Sequence, residues 1–493
     1  MIFHSLDFVV FFVVTVVLYW RLKHRHQNLL LLIASYFFYG YVHPWFLLLI
    51  LATTVIDYWA ARGMTAMPAR RRLFMGWSLV GNLGMLGFFK YFNFFAENVH
   101  ALLAVLGFDI PRPALSVVLP VGISFYTFQE LSYTIEVYRG TLAARRSFLD
   151  FATFVCFFPQ LVAGPIERAS RLLPQVEAER RFSWAASRDA TALIVWGYFQ
   201  KLVIADNVGV VANKVFALKD PAFPVLWAGV FAFGIQIYAD FSAYSDIARG
   251  TARWLGFDIM RNFNHPYVSR GPGEFWHRWH ISLSTWFRDY VYIPLGGSTL
   301  RNADCGLRTN QSRAIRKIRN HQSAIRNVMA TFLLSGLWHG ASWNYVLWGF
   351  FHGVLLLVGR ALAPLAPRGK LGIAVAAPFQ VAIMFVLVNI GWLMFRETDT
   401  AYLIRDLTLS PFRATPLERQ TGFYLFLLVA FYSLPLWIHA AWELGVQKRA
   451  AAAPAAVVNP RRMVLEAIGC GVLFALILVF RSRTSLDFIY FQF

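Results

Sequence analysis

The chain has 493 residues, of which 58% are hydrophobic and only 15% charged, and its mean hydropathy is +0.50. Soluble proteins carry about a quarter charged residues, so this composition excludes an ordinary soluble enzyme and indicates an all-α polytopic membrane protein. The formal net charge of +20 sits in short loops between apolar runs, which fits positive-inside topology and anionic headgroups rather than nucleic acid.

Taken in order, Phe8 to Trp20 is an apolar run followed, not preceded, by the basic cluster Arg21 to Arg25. A cleaved signal has the opposite order, so the run is read as an anchor with its N-terminus outside. Leu29 to Tyr41 then crosses outward, His43-Pro44 turns, and Phe46 to Ala60 returns to a loop, Arg62 to Arg72, with four arginines. Leu73 to Phe95 leads to an outer loop, Ala96 to Ser116, and Val117 to Val137 returns to the basic loop Arg139 to Arg146. Every turn agrees with the positive-inside rule.

Phe151 to Ala163 is too short to cross, contains Pro159 and ends at Gly164-Pro165, so a half-helix or re-entrant segment is expected. Glu167 to Arg188 is charged and reads as a cytoplasmic amphipathic surface segment. Ala190 to Ala205 and Val225 to Ala239 are further apolar runs. Gln236 to Asp246 carries two aspartates and two serines near the end of a span. Two readings stand open there: polar groups that pair with one another or cap a helix end, and a polar cavity lining.

Gly271-Pro-Gly-Glu274 opens a helix on which Glu274, His277, His280, Ser284 and Arg288 recur every three or four residues, a single polar stripe beside Trp276, Trp279, Leu283, Trp286 and Tyr290. Residues 301–326 hold seven Lys/Arg and one Asp, with Gln311 to Arg316 echoed by Gln322 to Arg326, and read as a basic, low-complexity surface insertion. Val328 to His339 and Tyr345 to Leu362 are core spans, followed by Pro378 to Met394, Gly422 to Ala441 and Met463 to Phe480. Val446 to Arg462 is a basic, Ala/Pro-rich connection, and alternation puts the tail from Arg481, with two arginines, outside, against the charge rule. About a dozen spans are expected, in one domain over residues 1–493.

His339, in Ser335-Gly-Leu-Trp-His-Gly-Ala-Ser342, lies in an apolar stretch. An ionisable side chain at membrane depth is costly and points to function, though a buried histidine bonded to a backbone carbonyl satisfies the same pattern. His4, His43, His100, His265, His321, His352 and His439 are read as structural or surface residues. Cys156, Cys305 and Cys470 have no metal-ligand spacing and are read as packing residues or free thiols. No metal is expected. Glu274-x-x-His277-x-x-His280 has the helical spacing of a di-iron oxygenase, but no further histidine cluster completes a cage. A transporter of sugars or lipids would show two related halves, and none is visible.

Together these residues carry a resemblance. Leu119 to Gln129, Leu161 to Glu167, Ile237 to Asp246, Asn262 to Tyr267, Phe275 to Trp286, Tyr292 to Gly297, Leu334 to Ala341 and Phe488 to Phe493 are similar to the membrane-bound O-acyltransferase (MBOAT) family, within it to the bacterial branch that acetylates exopolysaccharides such as alginate. The resemblance implies an MBOAT-like bundle with re-entrant or half-helices around a central tunnel, and its two signature histidines fall on His280 and His339. His277 stands where the family more often has a basic residue such as arginine and is given no catalytic role.

The implied reaction moves an acetyl group from a cytoplasmic thioester, acetyl-CoA or another, across the bacterial inner membrane to an extracytoplasmic hydroxyl. The acceptor is a polysaccharide or a periplasmic acetyltransferase partner, and membrane lipids surround the protein. A hydroxyl is a weak nucleophile at neutral pH and needs a base such as imidazole as it attacks. No nucleotide cradle is visible, so the donor-binding residues are not assigned. D-alanyl or other acyl transfer to a cell-wall polymer is the neighbouring alternative.

Overall fold

The structure is a computed structural model that describes residues 1–108, 111, 118–162, 164–297, 313–365, 367, 369–450 and 460–489. Among these the chain is helical, with no strand. It divides into two compact units, Met1–Ile194 with Tyr244–Arg261, and Val195–Ala243 with Asn262–Phe493. Six described helices are long and apolar enough to cross a membrane: Phe46–Ala66, Phe223–Trp254, Trp343–Leu365, Leu371–Arg396, Pro416–Val446 and Met463–Phe480, with Leu6–Tyr19 shorter. The dozen expected spans are not matched by this count. Two of the expected crossings are helices of 17 residues, His24–Gly40 and Ile123–Arg139, just short of the about 20 residues a crossing takes.

In the first unit these helices are joined by polar contacts that hydropathy does not reveal. Asn82 Nδ2 donates to Asp57 Oδ2 at 2.8 Å, Thr54 Oγ1 to Glu130 Oε1 at 3.2 Å, and Ser78 Oγ to Thr134 Oγ1 at 3.0 Å. All six side chains are buried. Each pair removes a polar cost that an apolar setting would otherwise impose. The expected half-helix is present as Phe148–Cys156, started by Ser147 Oγ accepting from the Asp150 N–H at 3.2 Å. Nine residues rise about 14 Å, less than half a bilayer core, and Phe158–Leu161 follows around Pro159, fully buried. Backbone broken in this way is tolerated where protein covers it. The amphipathic segment is also present in shortened form: Ala169–Glu177 buries Ala169, Leu172, Leu173 and Val176 on one face.

In the second unit, Lys201 decides between the two readings of the acidic stretch. Its Nζ lies 2.9 Å from both Asp206 Oδ1 and Asp240 Oδ1 and donates to the Leu486 carbonyl at 2.9 Å. Asp240 Oδ2 also accepts the Ile489 N–H at 2.7 Å. In the first unit Asp246 pairs with Arg249 at 3.1 Å. These carboxylates are therefore partnered charges, but the partners, Lys201 and Arg249, lie outside the stretch rather than within it as the pairing reading had it. The tail that conflicted with the charge rule packs inward: the Ser482 N–H donates to the Leu202 carbonyl, and Phe488 and Ile489 are fully buried.

The basic insertion is helical over its second part, since one helix runs Arg313–His339; residues 301–312, Cys305 included, lie outside the described residues, as do 451–459 of the basic connection and most of 109–117. Cys156 and Cys470 are free thiols. The Arg313–His339 helix packs backbone to backbone against Trp343–Leu362. A β-carbon on Gly336 would sit 2.2 Å from the Tyr345 carbonyl oxygen, and one on Gly349 2.3 Å from that of Phe332. Only glycine at both places permits this approach, and the approach sets where His339 stands.

Candidate functional site

The polar stripe expected along one helix is broken. Pro272–Arg278 ends with the Trp279 N–H donating to the Phe275 carbonyl, Trp279 is extended, and His280 takes a left-handed backbone with φ 42° before Ile281–Phe287 begins. Few residues other than glycine adopt that conformation, and it costs of order 1–3 kcal/mol. The loop carrying Asn262 holds it. The Ile281 N–H donates to the Asn262 carbonyl at 2.8 Å, and the Asn264 N–H donates to the Arg278 carbonyl at 2.9 Å. His280 consequently leaves the stripe and is completely buried, whereas His277 stays exposed with Nδ1 2.6 Å from the Gly273 carbonyl.

Asn262 also sets the chemistry of His280. Its Oδ1 accepts from the Ser282 N–H at 3.2 Å and the Ser282 hydroxyl at 2.9 Å. An atom that accepts a backbone N–H is the amide oxygen, so His280 Nδ1, 3.1 Å away, donates to it. The proton on Nδ1 leaves the lone pair on Nε2, the form a base requires. Sequence reasoning placed Asn262 in a motif but gave it no role. Its partner lies 18 residues on, and no helical or strand period connects the two.

His339 is the last residue of its helix, not the middle of an apolar span, because the helix begins among arginines and ends at Gly340. It is 6% exposed. Its ring lies 4.9 Å from Trp338, 5.0 Å from Trp348 and 5.3 Å from Phe395, each nearly edge-on. The His280 ring contacts the same Trp338 at 6.1 Å. The fold thus gathers both predicted histidines around one indole. His352, read from sequence as structural, is buried one layer away, with its ring 4.8 Å from Trp348 and stacked on Phe275.

Beside them lies a cavity of about 580 Å³. Trp276, Leu283, Phe287, Phe332 and Leu356 make most of its wall apolar, while Glu274, Arg288 and Arg360 bring charge to it and His277 a polar ring. It touches Ile281, next to His280, and Ser335, one turn before His339; neither imidazole lines it. Trp276 is the intervening layer, 5.8 Å from Trp348.

His280 stands in a turn between two seven-residue helices, outside the six spanning ones, and burial lowers its imidazole to about 3. An unfolded histidine titrates near 6.5. The folded form therefore keeps the ring neutral while the unfolded chain gains a proton, so stability held above about pH 6.5 declines as pH falls toward 3. A His280→Gln variant should show a shallower loss of detergent-solubilised thermal stability between pH 6.5 and 4, by up to one proton in the slope. An unchanged slope would show the ring to be solvated.

The family model for MBOAT, the membrane-bound O-acyltransferase family, matches residues 141–305 and 315–395. The chain is 41% identical over 404 residues to a probable alginate O-acetylase AlgI of Pseudomonas aeruginosa, covering 81% of this chain and 72% of that protein. Its likeness to the protein of the same description from Pseudomonas putida is 35% over 97% of this chain and 96% of the relative. A peptidoglycan O-acetyltransferase of Helicobacter pylori is 32% identical over 77% and 73% of the two chains.

Proposed function

The chain belongs to the membrane-bound O-acyltransferase family, and from that premise we propose that it takes an acetyl group from a cytoplasmic thioester, acetyl-CoA being the first candidate, and delivers it across the bacterial inner membrane. It is a multi-pass membrane O-acyltransferase. The acceptor is a hydroxyl of an exopolysaccharide such as alginate, or of a periplasmic acetyltransferase partner. Both compact units serve a single catalytic domain, residues 1–493.

The observation that carries this reading is the pair of imidazoles gathered on Trp338 next to an apolar cavity. His339 accepts the hydroxyl proton as the acceptor oxygen attacks the thioester carbonyl. A C–O bond forms, the C–S bond breaks, and the proton passes to the departing thiolate. The C-terminal end of its helix places partial negative charge beside a ring that becomes cationic during the reaction. His280, oriented by Asn262, packs on the same Trp338 as His339 and carries a second lone pair. The cavity accommodates the thioester arm, with Arg288 and Arg360 near the donor's anionic end.

Proteoliposomes given acetyl thioester on one face and glycan or partner on the other provide the test. Acetyl should appear on the acceptor face with release of free thiol on the donor face. Acceptance of long-chain acyl thioesters alone would end the polysaccharide reading while leaving the family intact, and transfer of D-alanyl groups would move the assignment to cell-wall polymers.

A further inference from the structure

A second cluster of histidines lies within the second unit, away from the pair on Trp338. His265, His439 and Glu443 bring one ligand atom each to within 4.8 Å of one another, and His265 Nε2 lies 2.6 Å from Glu443 Oε2. We propose that these three side chains form a binding site for a divalent transition metal of zinc type.

Three features of the chain converge on it. His439 and Glu443 are four apart on the Pro416–Ala450 helix, the spacing that turns two ligands to one helical face. His265 comes from a loop 178 residues before Glu443 and is 4% exposed. Its backbone is left-handed, with φ 48°, directly before Pro266, a costly conformation that persists only where the surroundings hold it. Two imidazoles and one carboxylate select zinc, cobalt, nickel or copper over magnesium or calcium, and three protein ligands leave a fourth position open. Ligand atoms about 2.1 Å from one tetrahedral ion lie about 3.4 Å apart, so the widest pair closes by up to about 1.4 Å and the His265–Glu443 pair opens by about 0.8 Å.

Glu443 is partly exposed, which gives an ion a route in. Coordination displaces the proton between His265 Nε2 and Glu443 Oε2 to solvent while the carboxylate keeps its charge. Trp196 covers His439 at 4.4 Å and shields one side. The consequence for the candidate histidine pair is positional. His265 lies three residues after Asn262, so a metal there ties the loop that orients His280 to the Pro416–Ala450 helix.

Full-length protein, purified in detergent with a tag free of histidine, stripped by chelator and offered zinc or cobalt alone, should bind one equivalent of metal per chain. Cobalt should give visible absorption bands, and zinc should raise the unfolding temperature. His265→Ala, His439→Ala and Glu443→Gln should each bring metal content to background with an unchanged elution profile. His339→Ala, which tests catalysis, should keep the full equivalent, so the two readings fail separately. Less than a tenth of an equivalent in the loaded wild type, or full metal content in folded variants of all three ligands, would overturn the site.

Discussion

Replacing His339 by alanine is expected to lower acetyl transfer by about 10²- to 10⁴-fold, the usual contribution of a positioned general base. Insertion should be unaffected. The ring makes edge contacts with Trp338, Trp348 and Phe395 at the C-terminal end of its helix. The variant should still insert and elute as a folded protein, with an unfolding temperature lowered by the lost ring contacts, while the acetyl content of the polysaccharide falls to background. His339→Gln, closer in shape, should be equally inactive, because an amide cannot take the proton. Normal acetyl content in either variant would remove the imidazole from the chemistry. His280→Ala should also be slow, but part of its loss should be structural. Asn262 then keeps its bonds to Ser282 and Ile281 and loses only the ring it orients.

The second large effect is on folding. Lys201→Met should destabilise the protein by about 3–5 kcal/mol, the range for removing one partner of a buried ion pair. Two carboxylates, Asp206 and Asp240, are 2% and 1% exposed and share that single ammonium among the described residues. Without it they face each other's charge in a setting that cannot solvate them, and the tail loses the bond from Lys201 to the Leu486 carbonyl. A lowered unfolding temperature in detergent, with faster proteolysis of the C-terminal tail, is the expected readout. Adding Asp206→Asn and Asp240→Asn to Lys201→Met should recover most of the loss, since neutral amides leave no uncompensated charge. A Lys201→Met protein as stable as the wild type would show that water reaches the cluster.

The two polar constellations differ in how far they could be read in advance. His339 was visible because a single ionisable residue in an apolar run is a local signal, needing only the hydropathy of its neighbours. The ion cluster was half visible. Asp240 stood out, but Lys201 belongs to another helix and Leu486 and Ile489 to the tail, so the choice between pairing and a cavity lining had to wait for the fold. The Glu274 to Arg288 stripe misled for a related reason. Helical periodicity assumes a continuous helix, and the break at His280 is made by Asn262, whose hydrogen bonds are long-range. The metal cluster was invisible for the same cause, since His265 and Glu443 are 178 residues apart.

The sequence by itself determined that this chain is a polytopic, all-helical membrane protein and that His339 and His280 carry the resemblance to an acyl-transfer family, because composition, charge placement and short motifs are written in neighbouring residues. Only the tertiary structure decided which helices are long enough to cross, that His280 leaves its stripe to join His339 at Trp338, which nitrogen of His280 holds the proton, and that a second histidine cluster exists. Each of those outcomes depends on groups far apart in the chain, because a buried polar atom is tolerated only where a partner, here distant in sequence, satisfies it.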